Sequence, residues 1–369
     1  MILLEPLALR IPREQPTPEG PGRPPAHELS VYCVRVQHEG AVAYGEAAVS
    51  QPQGLTEGVG FFSDLVAHGD PLDHDLLWQR MGWALREDQP EPAGEYAAVM
   101  SAIDLALWDL AGRLLGVPCY RLLGGAKARK VDCYAVVAHS GDPSGLTTEI
   151  RQLKESFGSV QVQLGGRVEE DLAGVRAARR AVGDNFPLRV AAGGAYDDLE
   201  AALTVGRELD RLEAFWYQEP LPAGRWSEYA QLRRDLSTPL VGGSTLFGLK
   251  PFARALEAGA LDVVALDLRL CGGMSAGRRL ADLAWLEGAF VTLQSGFSPL
   301  ALLASAHLSV ALLHAGAVQV QVAPTPLREL LIPGPVFKDG FLLLPEGPGL
   351  GAQVVEEFVN RYQVELPES

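Results

Sequence analysis

From Val131 onward the hydrophobic and polar positions follow one repeated pattern. Short runs with strand character begin near Val131 (VDCYAVV), Ser159 (SVQVQL), Leu188 (LRVAA), Ala214 (AFWYQ), Pro239 (PLVGG), Leu261 (LDVVALDL), Phe290 (FVTLQ) and Ala317 (AVQVQV). Each of the first seven is followed by a stretch with apolar residues three and four apart, such as DLAGVRAARRAVG or RRLADLAWLEGA. Strand alternating with helix predicts a parallel sheet. Eight strands at a spacing of roughly 25 to 30 residues fit a closed (β/α) barrel better than an open doubly wound sheet.

The opening part reads differently. Residues 31–49 alternate like two strands around His38-Glu39-Gly40, a hairpin with a glycine turn. Residues 54–115 carry helical spacing, clearest where Val99, Ile103, Ala106, Leu110 and Leu114 recur. Residues 13–25 (REQPTPEGPGRPP) lack periodicity and read as a Pro/Gly-rich loop. The pattern therefore divides the chain into an α+β domain over 1–127, a (β/α)7β barrel over 128–326, and a tail over 327–369 that returns to the first domain.

Composition narrows the partners. With 31 Lys+Arg against 46 Asp+Glu the net charge is −15, which repels nucleic acid and anionic membrane. The N-terminal MILLEPLALRI lacks a basic leader and a cleavage site, and no apolar run of about 18 residues occurs, so neither a signal peptide nor a membrane span is expected. Four scattered cysteines (Cys33, Cys119, Cys133, Cys271) read as reduced thiols of a cytoplasmic protein.

In such a barrel the active site lies at the C-terminal ends of the strands. Those ends supply Tyr134 with His139 beyond it, Gln161 and Gln163, Ala191 and Gly193, Gln218 with Glu219, Ser244, Asp267 with Arg269, Gln294 with Ser295, and Gln319 with Gln321. The set is polar but nearly neutral. Glu219 and Asp267 are its carboxylates, whereas a Mg²⁺ site requires several converging ones. Asp267 and Arg269 form either an ion pair or an acid/base couple. His139 is either a general base or an ordinary loop histidine. His307 and His314, seven apart on a helix, are too widely spaced for a helical metal pair and default to packing. The glutamines either bond one another or bind a small polar ligand.

Several stretches carry a family resemblance: VMSAIDLALWDLAGRLLGVPCYRLLGG (99–125), YGEA (44–47), QEPLP (218–222), TPLVGGSTL (238–246), LDLRLCGG (266–273) and KDGFLLLPEGPGLG (338–351). In order and over nearly the whole chain, they resemble the mandelate racemase/muconate lactonizing group of the enolase superfamily. The resemblance implies the two-domain fold, Mg²⁺ as cofactor, and abstraction of a proton next to a carboxylate by a Lys or His base. It implies a symmetric homo-oligomer as well. Position by position, however, the expected base lysines are Gln161 and Gln163, and the three expected metal ligands are Ala191, Gln218 and Ser244. Asp267 keeps its place while its usual histidine companion is Gln294, and Gln319 stands for a substrate-binding carboxylate. Asp104, Asp109 and Arg113 in the first of these stretches are expected to serve the capping domain. The 13–25 stretch resembles the family's loop over the barrel mouth.

The expectation is a degenerate family member without a metal cofactor or proton-abstraction activity, binding a small polar or carboxylate ligand through Gln161, Gln163, Gln218, Ser244, Arg269, Gln294 and Gln319. Two other readings stand beside it. One is a metal-independent isomerase or lyase using Asp267, His139 or Arg269 on a carboxylate-bearing substrate. The other is an ordinary Mg²⁺-dependent racemase or cycloisomerase.

Overall fold

The computed structural model describes residues 1–18, 25–87, 93–138 and 142–367, without side chains for 14–18, 25, 86, 87 and 93. The chain opens with antiparallel strands β1 (Leu3–Pro18), β2 (Pro25–His38) and β3 (Ala41–Ala47). The β2–β3 turn is made by Glu39 and Gly40, both at positive φ (49° and 83°), the backbone of a two-residue primed turn that matches the twist of its strands. The loop expected over 13–25 is shorter than its composition suggests, because β1 runs to Pro18 and pairs again with β2 at Thr17↔Ala26 after a register shift. Proline is tolerated there because the far half of β1 is an edge: its other neighbour reaches only Ala8 and Leu9.

Three helices, α1 (Pro52–Ala67), α2 (His74–Glu87) and α3 (Ala93–Leu115), close over this sheet and enclose a core including Phe62, Met81, Ile103 and Leu107. Gly45 lets α3 come down onto β3, since a Cβ at that position would stand 1.9 Å from the Ala102 carbonyl oxygen. The one-turn helix α4 (Cys119–Leu122) leads to the barrel.

Eight parallel strands then alternate with seven helices: β4 (Lys130–Ala138), α5 (Pro143–Lys154), β5 (Val160–Gln163), α6 (Val168–Val182), β6 (Leu188–Ala191), α7 (Leu199–Arg211), β7 (Trp216–Gln218), α8 (Trp226–Asp235), β8 (Leu240–Gly242), α9 (Leu249–Glu257), β9 (Val263–Asp267), α10 (Gly273–Leu286), β10 (Phe290–Gln294), α11 (Pro299–Ala311) and β11 (Ala315–Gln321). Pairing of β11 with β4, Gln319 opposite Tyr134, closes the barrel. Local sequence supports the helices. Asp142, Asp198 and Ser298 accept backbone N–H bonds at the starts of α5, α7 and α11, and α6 carries Glu169, Glu170 and Asp171 in its first turn and Arg179 and Arg180 in its last. Inside the barrel Tyr134, Val136, Trp216, Val241, Ala265 and Ala317 pack as one cluster.

The tail adds β12 (Leu331–Ile332), β13 (Val336–Lys338), β14 (Phe341–Leu343), β15 (Gln353–Val354), α12 (Glu356–Tyr362) and β16 (Gln363–Val364). β14 pairs antiparallel with the start of β4, and β16 pairs with β1, so the cap sheet runs β16-β1-β2-β3 and joins both ends of the chain. All four cysteines are buried and unbridged. Among the described residues no helix is long and apolar enough to cross a membrane.

Candidate functional site at the barrel mouth

Alternation along each strand turns one set of side chains inward, but it does not say how deep each sits. Gln161, expected at the mouth, lies one layer below it: it is 1% exposed, and its Oε1 accepts a 3.0 Å bond from the Trp216 indole N–H. That correction follows from β5 being only four residues long, which makes Gln163 its terminal inward residue. Gln163 is half-buried, as are Ser244 and Arg269, while Ala191, Gln218, Asp267, Gln294 and Gln319 are buried. The strand ends thus bring these residues to one end of the barrel, with Gln161 beneath them. His139 lies outside the described residues.

Arg269 stands in the turn after β9, two residues past Asp267. It donates to both Asp267 oxygens, Nε to Oδ1 at 3.0 Å and Nη2 to Oδ2 at 2.6 Å. Its remaining Nη1 donates to Glu46 Oε1 at 3.0 Å. Glu46 belongs to β3, so the guanidinium joins barrel to cap, and the Ala48 N–H to Arg269 carbonyl bond beside it (3.1 Å) does the same. Both Asp267 oxygens are engaged, which makes the couple an ion pair first. Burial pushes the Glu46 carboxyl above its ordinary pKa, and the charge of Arg269 opposes that rise. Glu46 was not among the residues selected from the strand ends, because it comes from the other domain.

Glu219 sits at φ 46°, a left-handed conformation uncommon for a non-glycine residue, and this turn aims its carboxylate at the β8 end. Ser244 donates its N–H (2.9 Å) and Oγ–H (2.7 Å) to it. Burial raises the Glu219 pKa while these bonds oppose the rise. Mg²⁺ takes near-octahedral oxygen coordination, usually from one or two free carboxylates together with waters. Ala191 offers no donor, Gln218 and Ser244 are neutral, and Glu219 and Asp267 are bonded elsewhere. Among the described residues no three His, Cys, Asp or Glu side chains gather to hold a metal ion. These residues do not fit the ion.

What the mouth does hold is unsatisfied amide. Gln218 Oε1 is buried without a partner, as is Gln161 Nε2 in the layer below, while the Tyr134 hydroxyl faces Thr292 and Gln294. Such groups are uncommon in a folded interior. Of the other residues singled out from sequence, His307 is a core residue. Its Nδ1 accepts from the Tyr120 N–H (3.2 Å), which leaves Nε2 to donate to the Leu350 carbonyl (3.2 Å), and burial lowers its pKa to about 4. Asp104 serves the barrel as well as the cap, accepting from the N–H of Ser275 (2.9 Å) and its hydroxyl (2.5 Å) at the start of α10. Asp109 accepts from Arg113 (2.9 Å) and from the Leu350 N–H (2.7 Å).

Two family models together cover most of the chain. The mandelate racemase/muconate lactonizing enzyme N-terminal domain matches residues 14–124, and the enolase C-terminal domain-like model matches residues 145–358. The chain belongs to the enolase superfamily. A D-galactarolactone cycloisomerase of Agrobacterium fabrum is 28% identical over 89% of this chain and 90% of its own length. An arabinonate dehydratase of Saccharolobus solfataricus is 27% identical over 91% of each. Among solved structures, a Streptomyces coelicolor racemase with bound magnesium superposes with a TM-score of 0.89 at 23% identity, covering 99% of this chain and 100% of that one, which supports the fold. This enolase-superfamily protein therefore has the scaffold of its relatives, and its strand ends carry Ala191, Gln163, Gln218 and Ser244 beside the carboxylates of Glu219 and Asp267.

Proposed function

We propose that this protein binds a small polyhydroxylated ligand, a sugar acid or its lactone, at the barrel mouth without Mg²⁺, and does not carry out the superfamily's proton abstraction. The observation that carries the reading is the polar end of the barrel, where Gln163, Gln218 and Gln294 end their strands and Gln218 Oε1 is buried without a partner. A desolvated acceptor left unpaired costs about 1–3 kcal/mol, and a ligand rich in hydroxyls would satisfy it. The ligand class is suggested by relatives named for D-galactarolactone and arabinonate. The loss of proton abstraction is suggested by Gln161 and Gln163 at the positions where the family resemblance places its base, and by the missing carboxylates at Ala191, Gln218 and Ser244.

Those relatives are enzymes, and this favours a second reading, catalysis without a metal, for which Asp267 is the available carboxylate. Calorimetric titration with Mg²⁺ and Mn²⁺ is expected to give no stoichiometric heat, while galactonate or its lactone binds. Deuterium exchange from solvent into galactonate, galactarate and arabinonate is expected to be nil. A tight one-to-one metal site would overturn the proposal. Metal-free exchange abolished by Asp267→Asn would replace it with the second reading.

A further inference from the structure

At the other end of the barrel, strand alternation places Arg189 on the inner face of β6, where apolar side chains normally fill a closed barrel. The residue is 6% exposed. Its guanidinium carbon lies 4.3 Å from the ring centre of Phe215, 4.5 Å from that of Trp216 and 5.0 Å from that of Tyr134. Rings attract a cation but do not replace a carboxylate. Nε and Nη1 are buried and donate to no acceptor, and among the described residues no carboxylate forms an ion pair with Arg189. Burial lowers its pKa to about 10, which leaves it charged at neutral pH. Asp132 on β4 acts on this charge from a distance without forming an ion pair, and a buried cation without a paired carboxylate is a costly arrangement.

A cavity of about 940 Å³ reaches Arg189 from the surface at the N-terminal ends of β7 to β11. Its walls include Phe215, Trp216, Pro239 and Phe290, with Arg233 and Arg234 at the rim. Arg233 is tied to Asp262 at 2.7 Å, and Arg234 is exposed. Phe215 and Phe290 are 49% and 58% exposed, so a flat apolar surface lies next to the buried charge. The face is locally positive in a chain whose net charge is −15.

We infer that this cavity binds a small organic carboxylate with a flat apolar body, the carboxylate accepting from the Arg189 guanidinium and the body lying against Phe215 and Phe290. The site opens at the opposite end of the barrel from Gln163, Gln218 and Gln294, which end their strands, while Gln161 lies opposite Arg189 in the β5–β6 register and accepts from Trp216 in the cavity wall. Arginine suits the role because its planar N–H groups match a carboxylate, and a partly desolvated pair is stronger than one in water.

Benzoate serves as the probe, with benzyl alcohol as its neutral counterpart and inorganic phosphate as an anion without the apolar body. Binding to the full chain is read by calorimetry and by tryptophan fluorescence, since Trp216 lies at the site. Saturable benzoate binding is expected, with benzyl alcohol and phosphate each weaker by at least about tenfold, and Arg189→Gln weakening benzoate by about tenfold or more. Absence of saturable benzoate binding, equal affinity for phosphate, or unchanged affinity in Arg189→Gln would each overturn the assignment. If Arg189→Gln fails to fold, Phe215→Ala and Arg234→Glu on the exposed rim decide it: each is expected to weaken benzoate by about threefold or more, and unchanged affinity in both would overturn the proposal.

Discussion

Arg269 holds two carboxylates from two domains with one guanidinium. Gly296 makes room for it, because a Cβ there would stand 2.5 Å from Nη1. Removing one partner from a buried ionic set leaves the others uncompensated, at a cost of about 3–5 kcal/mol. Arg269→Met is therefore expected to lower stability at pH 7 by that order in denaturant unfolding. Burial already raises the Glu46 pKa and Arg269 opposes that rise, so without the cation Glu46 favours the protonated form in the folded state more strongly than in the unfolded chain, and part of the loss should return as pH falls toward 5. A loss that does not change with pH would mean that packing, not charge, is what Arg269 contributes. The same residue scale marks where sequence reading stopped short. Period-2 alternation puts Gln161 and Gln163 on one face, but only the strand's length sets their depth, and the Trp216 partner of Gln161 lies 55 residues away. Arg189 was legible as a charge among inward positions of LRVA, yet attention to strand C-termini passes over it.

At the scale of elements, the strand and helix pattern was readable nearly throughout, because most β runs are bounded by Gly or Pro and most helices have an apolar stripe, α11 being buried on every side. The exceptions have physical causes. Residues 13–18 read as loop because proline disfavours central strands, and only tertiary pairing identifies an edge where it is allowed. Asp104 read as a cap residue because no sequence signal announces a carboxylate capping a helix 171 positions away. Burial raises the Asp104 pKa from 3.8 to about 7, opposed by the hydrogen bonds from Ser275 and the backbone N–H of Met274 and by the charge of Arg279. The folded state thus binds more protons than the unfolded chain between about pH 4 and 7, so this group's contribution falls as pH rises through that window and is least favourable above pH 7. In Asp104→Asn that dependence disappears, and the melting temperature of the unsubstituted protein minus that of the variant is expected to increase as pH falls from 8 to 5. A difference constant across that range would contradict the burial argument.

For the molecule as a whole, the cap is held to the barrel by Arg269, by Asp104 at α10, and by Trp78, whose indole N–H donates to the Gly272 carbonyl at 2.8 Å. The cap is also held to itself across the chain, where the Tyr44 hydroxyl donates to Glu356 at 2.6 Å and β16 pairs with β1. Tyr44→Phe removes that hydroxyl and is expected to cost about 1–2 kcal/mol. Faster amide hydrogen exchange should appear in α12 and β16 and leave β4 to β11 unchanged. Exchange spreading equally into the barrel would show that the two domains open as one unit.

The pairing of β16 with β1 also sets an order of events during synthesis. Every barrel strand has been made once Gln321 emerges from the ribosome, but the cap sheet waits for residues 363–364 to supply its outer strand. Until then Ala8 and Leu9 add to the part of β1 that has no partner on that side, beside a barrel free to close, so the nascent chain has its exposed, association-prone edge in the part translated first.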